Sequence, residues 1–305
     1  MDNRKHAMIA TWKMSLDGVR KAAEPLFAED DRRKALSTAI KDVENNPAYH
    51  YVGYGGYPNK DGVVEMDAAY MDGNTMQFGA VASVSGIASP IELAMQLSEK
   101  TKDCFLCGDG ALKYAKEHGF TQKNMLSEEA NQFYQSHRKD FLSHDTVCMI
   151  AKDTKGISCG VSTSGLPFKN PGRIGDSAVI GSGFYCDSLN GSAAATGNGE
   201  DVMRGCLTHS AVMWMKTGME VQKACETALK EHIERLSFSG YQVGDISLIA
   251  MDRYGNCAAA TNMEAFPFVM MDDDNDPSVY VCHNVNGRIN IHKADEAWLA
   301  NWKGD

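Results

Sequence analysis

The segment from Thr146 to Val161 reads as strand, turn, strand. Apolar Val147, Met149 and Ile150 lead into Asp153-Thr154-Lys155-Gly156, a composition that makes turns, and Ile157 and Val161 lead out. The text recurs as Leu248-Ile249-Ala250-Met251-Asp252-Arg253-Tyr254-Gly255, again with Asp and Gly three apart after an apolar strand. Two hairpins that use the same turn chemistry account for the echo without an internal repeat. Residues 17–45 carry Val19, Ala22, Leu26, Ala35, Ile40 and Val43 at helical spacing, and 89–101 read as a helix with Pro90 in its first turn. Further helix is predicted over 108–138, and one or two amphipathic helices over 201–235. Strands are predicted at 7–12, 64–71 and 77–85, the last two joined by the turn Met71-Asp72-Gly73-Asn74. Strands flanked on both sides by long helices imply sheets covered by helix layers, an α/β (α+β) fold class. No Gly-rich dinucleotide fingerprint and no Walker loop is present, so a nucleotide-binding fold gets no support.

With 305 residues, 43% of them hydrophobic, the chain buries a sizeable core. Its net charge of -10 repels phosphate backbones, which argues against a nucleic-acid partner. No run of about 18 apolar residues occurs, so no membrane span is expected. Met1 to Ala10 lack an apolar stretch long enough for a signal peptide, and a cytoplasmic location is the expectation. The nine cysteines are scattered, several of them in apolar runs, and read as reduced, buried thiols. Cys104-Phe105-Leu106-Cys107 has half the spacing of a zinc site, with nothing to complete it. Asp272-Asp273-Asp274-Asn275-Asp276 lacks the glycine and distal glutamate of a calcium loop and reads as a solvated acidic loop. No metal is expected from these motifs.

The residues with chemistry in them begin at Asp145-Thr146. A threonine hydroxyl is a poor nucleophile without a base beside it. One base is the residue's own α-amine, whose reference pKa of about 7.7–8.0 leaves a neutral fraction near pH 7. That amine exists only if Thr146 begins a chain, so cleavage after Asp145 would have to release it. Taken alone, His144-Asp145-Thr146 is weak evidence and reads as a polar loop entering a strand. Thr163, in Ser162-Thr163-Ser164-Gly165, ends the hairpin that Thr146 opens, so the two residues become neighbours across two strands. Pro171-Gly172-Arg173-Ile174-Gly175-Asp176-Ser177 follows. Arg173 suits a carboxylate and Asp176 an ammonium, the two charges of a free amino acid, although a surface ion pair on a turn has the same text. Small residues in Gly191 to Gly199 allow close backbone approach, with Thr196 and Gly197 as candidate oxyanion donors.

Together, His144-Asp145-Thr146, Ser162-Thr163-Ser164-Gly165, Gly172-Arg173-Ile174-Gly175-Asp176-Ser177 and Ala195-Thr196-Gly197-Asn198-Gly199 resemble the glycosylasparaginases. Thr11-Trp12, Val52-Gly53-Tyr54-Gly55-Gly56 and Met66-Asp67-Ala68 followed by Met71-Asp72-Gly73 agree, in order, over residues 8 to 270. The resemblance implies the four-layer αββα sandwich of the N-terminal-nucleophile hydrolases, formed by the whole chain as one domain. It implies self-cleavage at Asp145–Thr146 into an α chain, 1–145, and a β chain, 146–305. Thr146 would attack the side-chain amide of N4-(β-N-acetylglucosaminyl)-L-asparagine and form a β-aspartyl enzyme that water resolves. By the same resemblance Thr163 supports the Thr146 hydroxyl, Arg173 holds the substrate carboxylate, Asp176 its ammonium, and Thr196 with Gly197 the oxyanion. Trp12 shapes the pocket, and the resemblance implies no metal and no cofactor. Cleaved units commonly assemble as two α and two β chains, so a homo-oligomer of αβ units is expected.

Three positions depart from the family's pattern. Tyr51 stands where a small hydroxyl residue is usual, Cys148 stands where glycine is usual, and Glu29-Asp30-Asp31-Arg32-Arg33 replaces a Gly-Gly turn. The last reads as a surface change. The first two leave room for an uncleaved homologue that only binds ligand, and the resemblance to related N-terminal-nucleophile enzymes leaves room for an L-asparaginase or β-aspartyl peptidase of the same mechanism.

Overall fold

The computed structural model describes residues 4–136, 146–302 and 304. Asp145 lies outside the described residues, as do Ser143 and His144. Among those described, two sheets form. The strands are β1 (Ala7–Thr11), β2 (Met66–Asp72), β3 (Phe78–Val84), β4 (Phe105–Cys107), β5 (Val147–Lys152), β6 (Ile157–Thr163), β7 (Phe184–Asp187), β8 (Gly191–Gly197), β9 (Ile246–Asp252), β10 (Cys257–Thr261), β11 (Ala265–Asp272), β12 (Asn275–Val285) and β13 (Arg288–Lys293). The larger sheet runs β13-β12-β11-β1-β5-β6-β2-β3-β4, and the smaller runs β10-β9-β8-β7. Neighbours are antiparallel except β3 and β4.

Helices cover both outer faces. On the larger sheet lie α1 (Leu16–Ala23), α2 (Arg32–Asn45) and α3 (Pro90–Ser98), followed in the chain by α4 (Gly108–Glu117) and α5 (Glu128–Ser136). On the smaller sheet, α6 (Gly199–Arg204) precedes α7 (Leu207–Lys216) and α8 (Val221–Ser237), and α9 (Glu296–Asn301) ends the chain. β5 and β6 pack against β8 where the two sheets meet. This is the expected αββα sandwich. Every residue of β5 and β6 is buried, because these strands have a helix on one side and a sheet on the other. β5 therefore reads as a nearly continuous apolar run, while β6 carries buried hydroxyls at Ser158, Ser162 and Thr163.

The hairpins match their turn text. The Asp153 carboxylate accepts the amides of Lys155 and Gly156 at 2.8 and 3.0 Å, and Asp252 accepts those of Tyr254 and Asn256 at 2.8 and 2.9 Å. Asp side chains that bond their own backbone ahead are a general turn device.

Other segments differ from expectation. Residues 17–45 do not form one helix: α1 runs into a π-helical turn at Glu24–Ala28 and breaks before α2. Asp30 adopts φ 53° and Asp31 caps α2 by accepting the Lys34 amide at 2.9 Å. The acidic triplet is more than a surface change, because Asp30 accepts the amide and hydroxyl of Thr154 in the β5–β6 turn. Those two bonds hold its carboxyl well below the usual range. Arg32 then bridges Asp72 at 2.6 Å and Asp153 at 2.9 Å, tying α2 to the β2–β3 and β5–β6 hairpins. Residues 108–138 split into α4 and α5, with 137 and 138 outside the described residues, and 201–235 hold three helices. The acidic run at 272–276 is the β11–β12 turn, with Asp272 paired to Arg4 at 2.8 Å and Asp273 to His6 at 2.9 Å. All nine cysteines are free thiols; five are buried, Cys104 and Cys257 are half-buried, and Cys107 and Cys206 are exposed.

Candidate active site

The site forms where the N-terminal end of β5, the C-terminal ends of β6 and β8, and the loop after β6 converge. β5 and β6 pair with Val147 opposite Ser162 and Cys148 opposite Val161. One step further puts Thr146 level with Thr163, as the hairpin text predicted. Both line one cavity together with Arg173, Asp176 and Gly197. Five of the predicted site residues thus share a wall.

Thr146 is fixed from two sides. Its backbone nitrogen donates to Thr196 Oγ1 at 3.2 Å. Its carbonyl accepts from Thr11 Oγ1 at 2.6 Å, and Thr11 Oγ1 in turn accepts the Cys148 amide at 2.9 Å. Thr196 Oγ1 also accepts Trp12 Nε1 at 3.2 Å. With two N–H donors on its oxygen, the Thr196 hydroxyl keeps its own hydrogen to donate. Trp12 and Thr196 thus stand at the Thr146 nitrogen, and Thr196 directly precedes Gly197 of the cavity wall. Trp12 is 4% exposed, stands edge-on to Phe266 and holds φ 62°, a strained angle for a tryptophan. Gly197 has φ 119°, and a Cβ there would sit 2.2 Å from the Asp245 carbonyl oxygen, so the end of β8 requires glycine.

Thr163 Oγ1 accepts the Gly165 amide at 3.0 Å, which turns the chain out of β6. That turn starts the loop carrying Arg173 and Asp176. Asp176 is 3% exposed, and its Oδ2 has no hydrogen-bond partner among the described residues. Burial pushes its carboxyl up to about 7. A buried acceptor without a donor costs free energy unless a ligand supplies one. Arg173 donates Nε to Glu200 Oε1 at 2.8 Å and Nη2 to Oε2 at 2.5 Å. Beneath the loop, Asp67 of β2 pairs in register with Thr163 and is fully buried, and burial raises its carboxyl too. Lys169, also buried, reaches the Glu65 carbonyl at 3.4 Å.

The cavity is about 10 Å³, room for about one water. Hollows of about 560 and 660 Å³ lie elsewhere, the first lined by Arg4, Met215 and Arg253 among others, the second by Lys230, Glu234 and Asn286 among others. Volume does not select the site. A hydroxyl, a guanidinium and an orphaned buried carboxylate on one wall do.

Two of the departures now have a setting. The Cys148 side chain finds room between the sheets and its thiol donates to the Ala195 carbonyl at 3.1 Å. Burial raises that thiol well above its ordinary value, which keeps it unreactive. The Tyr51 ring stands edge-on to Tyr57, and its carbonyl accepts the Ser164 amide at 2.8 Å. The sequence reading missed Thr11 as the clamp on Thr146 and Glu200 as the partner of Arg173. Thr11 was visible only beside Trp12, and Glu200 only as the residue after Asn198-Gly199.

A family profile described as Asparaginase matches residues 4–281. The chain is 35% identical over 279 residues to an N(4)-(beta-N-acetylglucosaminyl)-L-asparaginase of Elizabethkingia miricola, covering 88% of this chain and 82% of that protein. It is 32% identical to a plant-type L-asparaginase of Thermococcus kodakarensis, over 86% of this chain and 91% of that one. It is also 32% identical to an isoaspartyl peptidase/L-asparaginase of Rattus norvegicus, over 83% and 78%. With most of its length matched in this way, the chain belongs to the asparaginase family of amide hydrolases.

Proposed function

We propose that the chain is a precursor that cuts its own Asp145–Thr146 bond and then uses Thr146 as an N-terminal nucleophile on the side-chain amide of N4-(β-N-acetylglucosaminyl)-L-asparagine. The observation that carries this reading is the shared cavity of Thr146, Thr163, Arg173 and Asp176. In the first step Thr146 Oγ adds to the Asp145 carbonyl, the peptide C–N bond breaks and an ester with a free amine forms. Water opens the ester, leaving the Asp145 carboxylate and the Thr146 α-amine. In turnover that amine takes the hydroxyl proton as Oγ attacks the substrate carbonyl. The Thr196 hydroxyl and the Gly197 amide stabilise the oxyanion, and the Thr163 hydroxyl supports the nucleophile. The departing amine takes a proton, and water releases aspartate from the β-aspartyl ester. Arg173 receives the substrate carboxylate and Asp176 its ammonium.

A second reading keeps this mechanism with L-asparagine or a β-aspartyl dipeptide as substrate. Relatives at 32% identity with those names favour it. Comparing kcat/KM for the three substrates on one preparation decides between them. The glycosylated substrate is expected to lead; a clear lead for L-asparagine or the dipeptide would replace the first reading with the second.

Asp176 gives the pH dependence a direction. It must be ionised to hold an ammonium, and burial places its carboxyl at about 7. So kcat/KM is expected to fall as pH drops through about 7, since that ratio follows the free enzyme. Asp176→Asn is expected to lower kcat/KM by about 10²-fold at pH 8. A variant within about twofold of the wild type would remove Asp176 from substrate binding.

A further inference from the structure

We propose that Glu200 is a positioning residue that sets which edge of Arg173 faces the substrate. The proposal rests on the reading above, in which Arg173 receives the carboxylate of an asparagine-type substrate. Arg173 has two hydrogen-bonding edges. The Nε–Nη2 edge is taken by both oxygens of Glu200, at 2.8 and 2.5 Å, the parallel two-bond geometry that carboxylates prefer with arginine. This leaves Nη1 turned inward. Nη1 lies 3.1 Å from where a Cβ on Gly175 would stand and 3.5 Å from one on Gly165. Both glycines line the cavity with Thr146. The guanidinium therefore passes over backbone with no side chain in the way, and its inward N–H groups point at the place a substrate carboxylate must occupy.

Holding a long side chain in one pose is a geometric contribution. An arginine with its outer edge unheld samples other rotamers, and only a fraction of them present Nη1 to the cavity. Glu200 also opposes a second carboxylate by charge. Its side chain is 47% exposed, however, so water screens that repulsion, whereas the Arg173 side chain at 17% exposure sits in the wall. Orientation therefore outweighs repulsion, and Glu200 raises affinity for ligands that bear an α-carboxylate.

The experiment uses the mature wild type and the variants Glu200→Ala, Glu200→Gln and Glu200→Asp. Binding of L-aspartate is measured by calorimetry, and KM and kcat for L-asparagine by steady-state kinetics. For Glu200→Ala and Glu200→Gln, both the aspartate Kd and the KM are expected to rise about tenfold with kcat within about twofold, and Glu200→Asp to recover part of the loss. Self-cleavage is expected to be unchanged, because it uses no external carboxylate. Tighter or unchanged aspartate binding in Glu200→Ala would overturn the proposal and make Glu200 a competitor or a bystander. A fall in kcat with unchanged Kd would overturn it in favour of a merely structural role. If the wild type itself bound no aspartate, the reading of the site would fail and this proposal with it, an outcome distinct from the other two.

Discussion

Thr146→Ala is expected to remain a single chain of 305 residues and to lose hydrolysis of asparagine-type amides by about 10⁴-fold or more. Two losses follow from one oxygen. The hydroxyl is the atom that attacks Asp145 during maturation and the substrate carbonyl during turnover. Its backbone anchors stay in place, because Thr11 holds the Thr146 carbonyl and Thr196 accepts its nitrogen, and neither contact uses the side chain. The variant should therefore fold as the wild type does, with an unchanged circular-dichroism spectrum. Denaturing electrophoresis and a substrate assay check the result. A variant that still matured and turned over would remove Thr146 as the nucleophile.

The second large effect concerns stability against pH and centres on Glu44. This residue is fully buried near the C-terminal end of α2. Its Oε1 accepts the Ser162 hydroxyl at 2.7 Å and the Ile91 amide at 3.0 Å, while Oε2 has no partner among the described residues. Its carbonyl accepts the Tyr54 amide at 2.7 Å, and Gly53 packs so closely that a Cβ would stand 2.0 Å from that oxygen. Glu44 thus joins α2, α3 and β6 to the loop bearing Tyr51. Burial pushes its carboxyl from 4.5 up to about 8. The folded state holds the proton more tightly than the unfolded chain does, so the sign is opposite to that of a salt-bridged acid. Below about 4.5 both states are protonated and the full contribution is present. As pH rises the unfolded chain ionises first, and stability falls by up to ~1.4 kcal/mol per pH unit until about 8. Glu44→Gln cannot ionise and is expected to remove this fall, gaining on the order of 4 kcal/mol on the wild type between the two limits. Urea unfolding at pH 5 and pH 8 measures it. Parallel pH curves for the two proteins would show that Glu44 does not hold its proton in the folded state.

Much of the site was legible because its parts are local. A hairpin with one turn text has one register, and that register alone set Thr146 beside Thr163. Arg173 and Asp176 stand three apart on one glycine-rich loop, so their shared wall needed no long-range contact. The clamp on Thr146 was not legible in this way. Thr11, Trp12 and Thr196 come from the larger sheet's β1, the residue after it, and the smaller sheet's β8, and they meet only when the sheets stack. Spacing along the chain carries no trace of a contact spanning 135 or 184 positions. The break at Asp30 was hidden for a related reason. The apolar spacing of 17–45 is helical throughout, but tertiary bonds from Thr154 and His6 hold Asp30 out of the helix. Residues 271–305 carried little pattern because β13 is an edge strand and β12 beside it has many positions that are exposed or half-buried. Burial there is too slight to impose an alternation.

The most direct test of self-cleavage is the intact mass of freshly purified protein, with N-terminal sequencing of each species. The account predicts two chains, one of 145 residues and one of 305 − 145 = 160, the latter beginning Thr146-Val147-Cys148-Met149. A single chain of 305 residues that persists on warm incubation would contradict it.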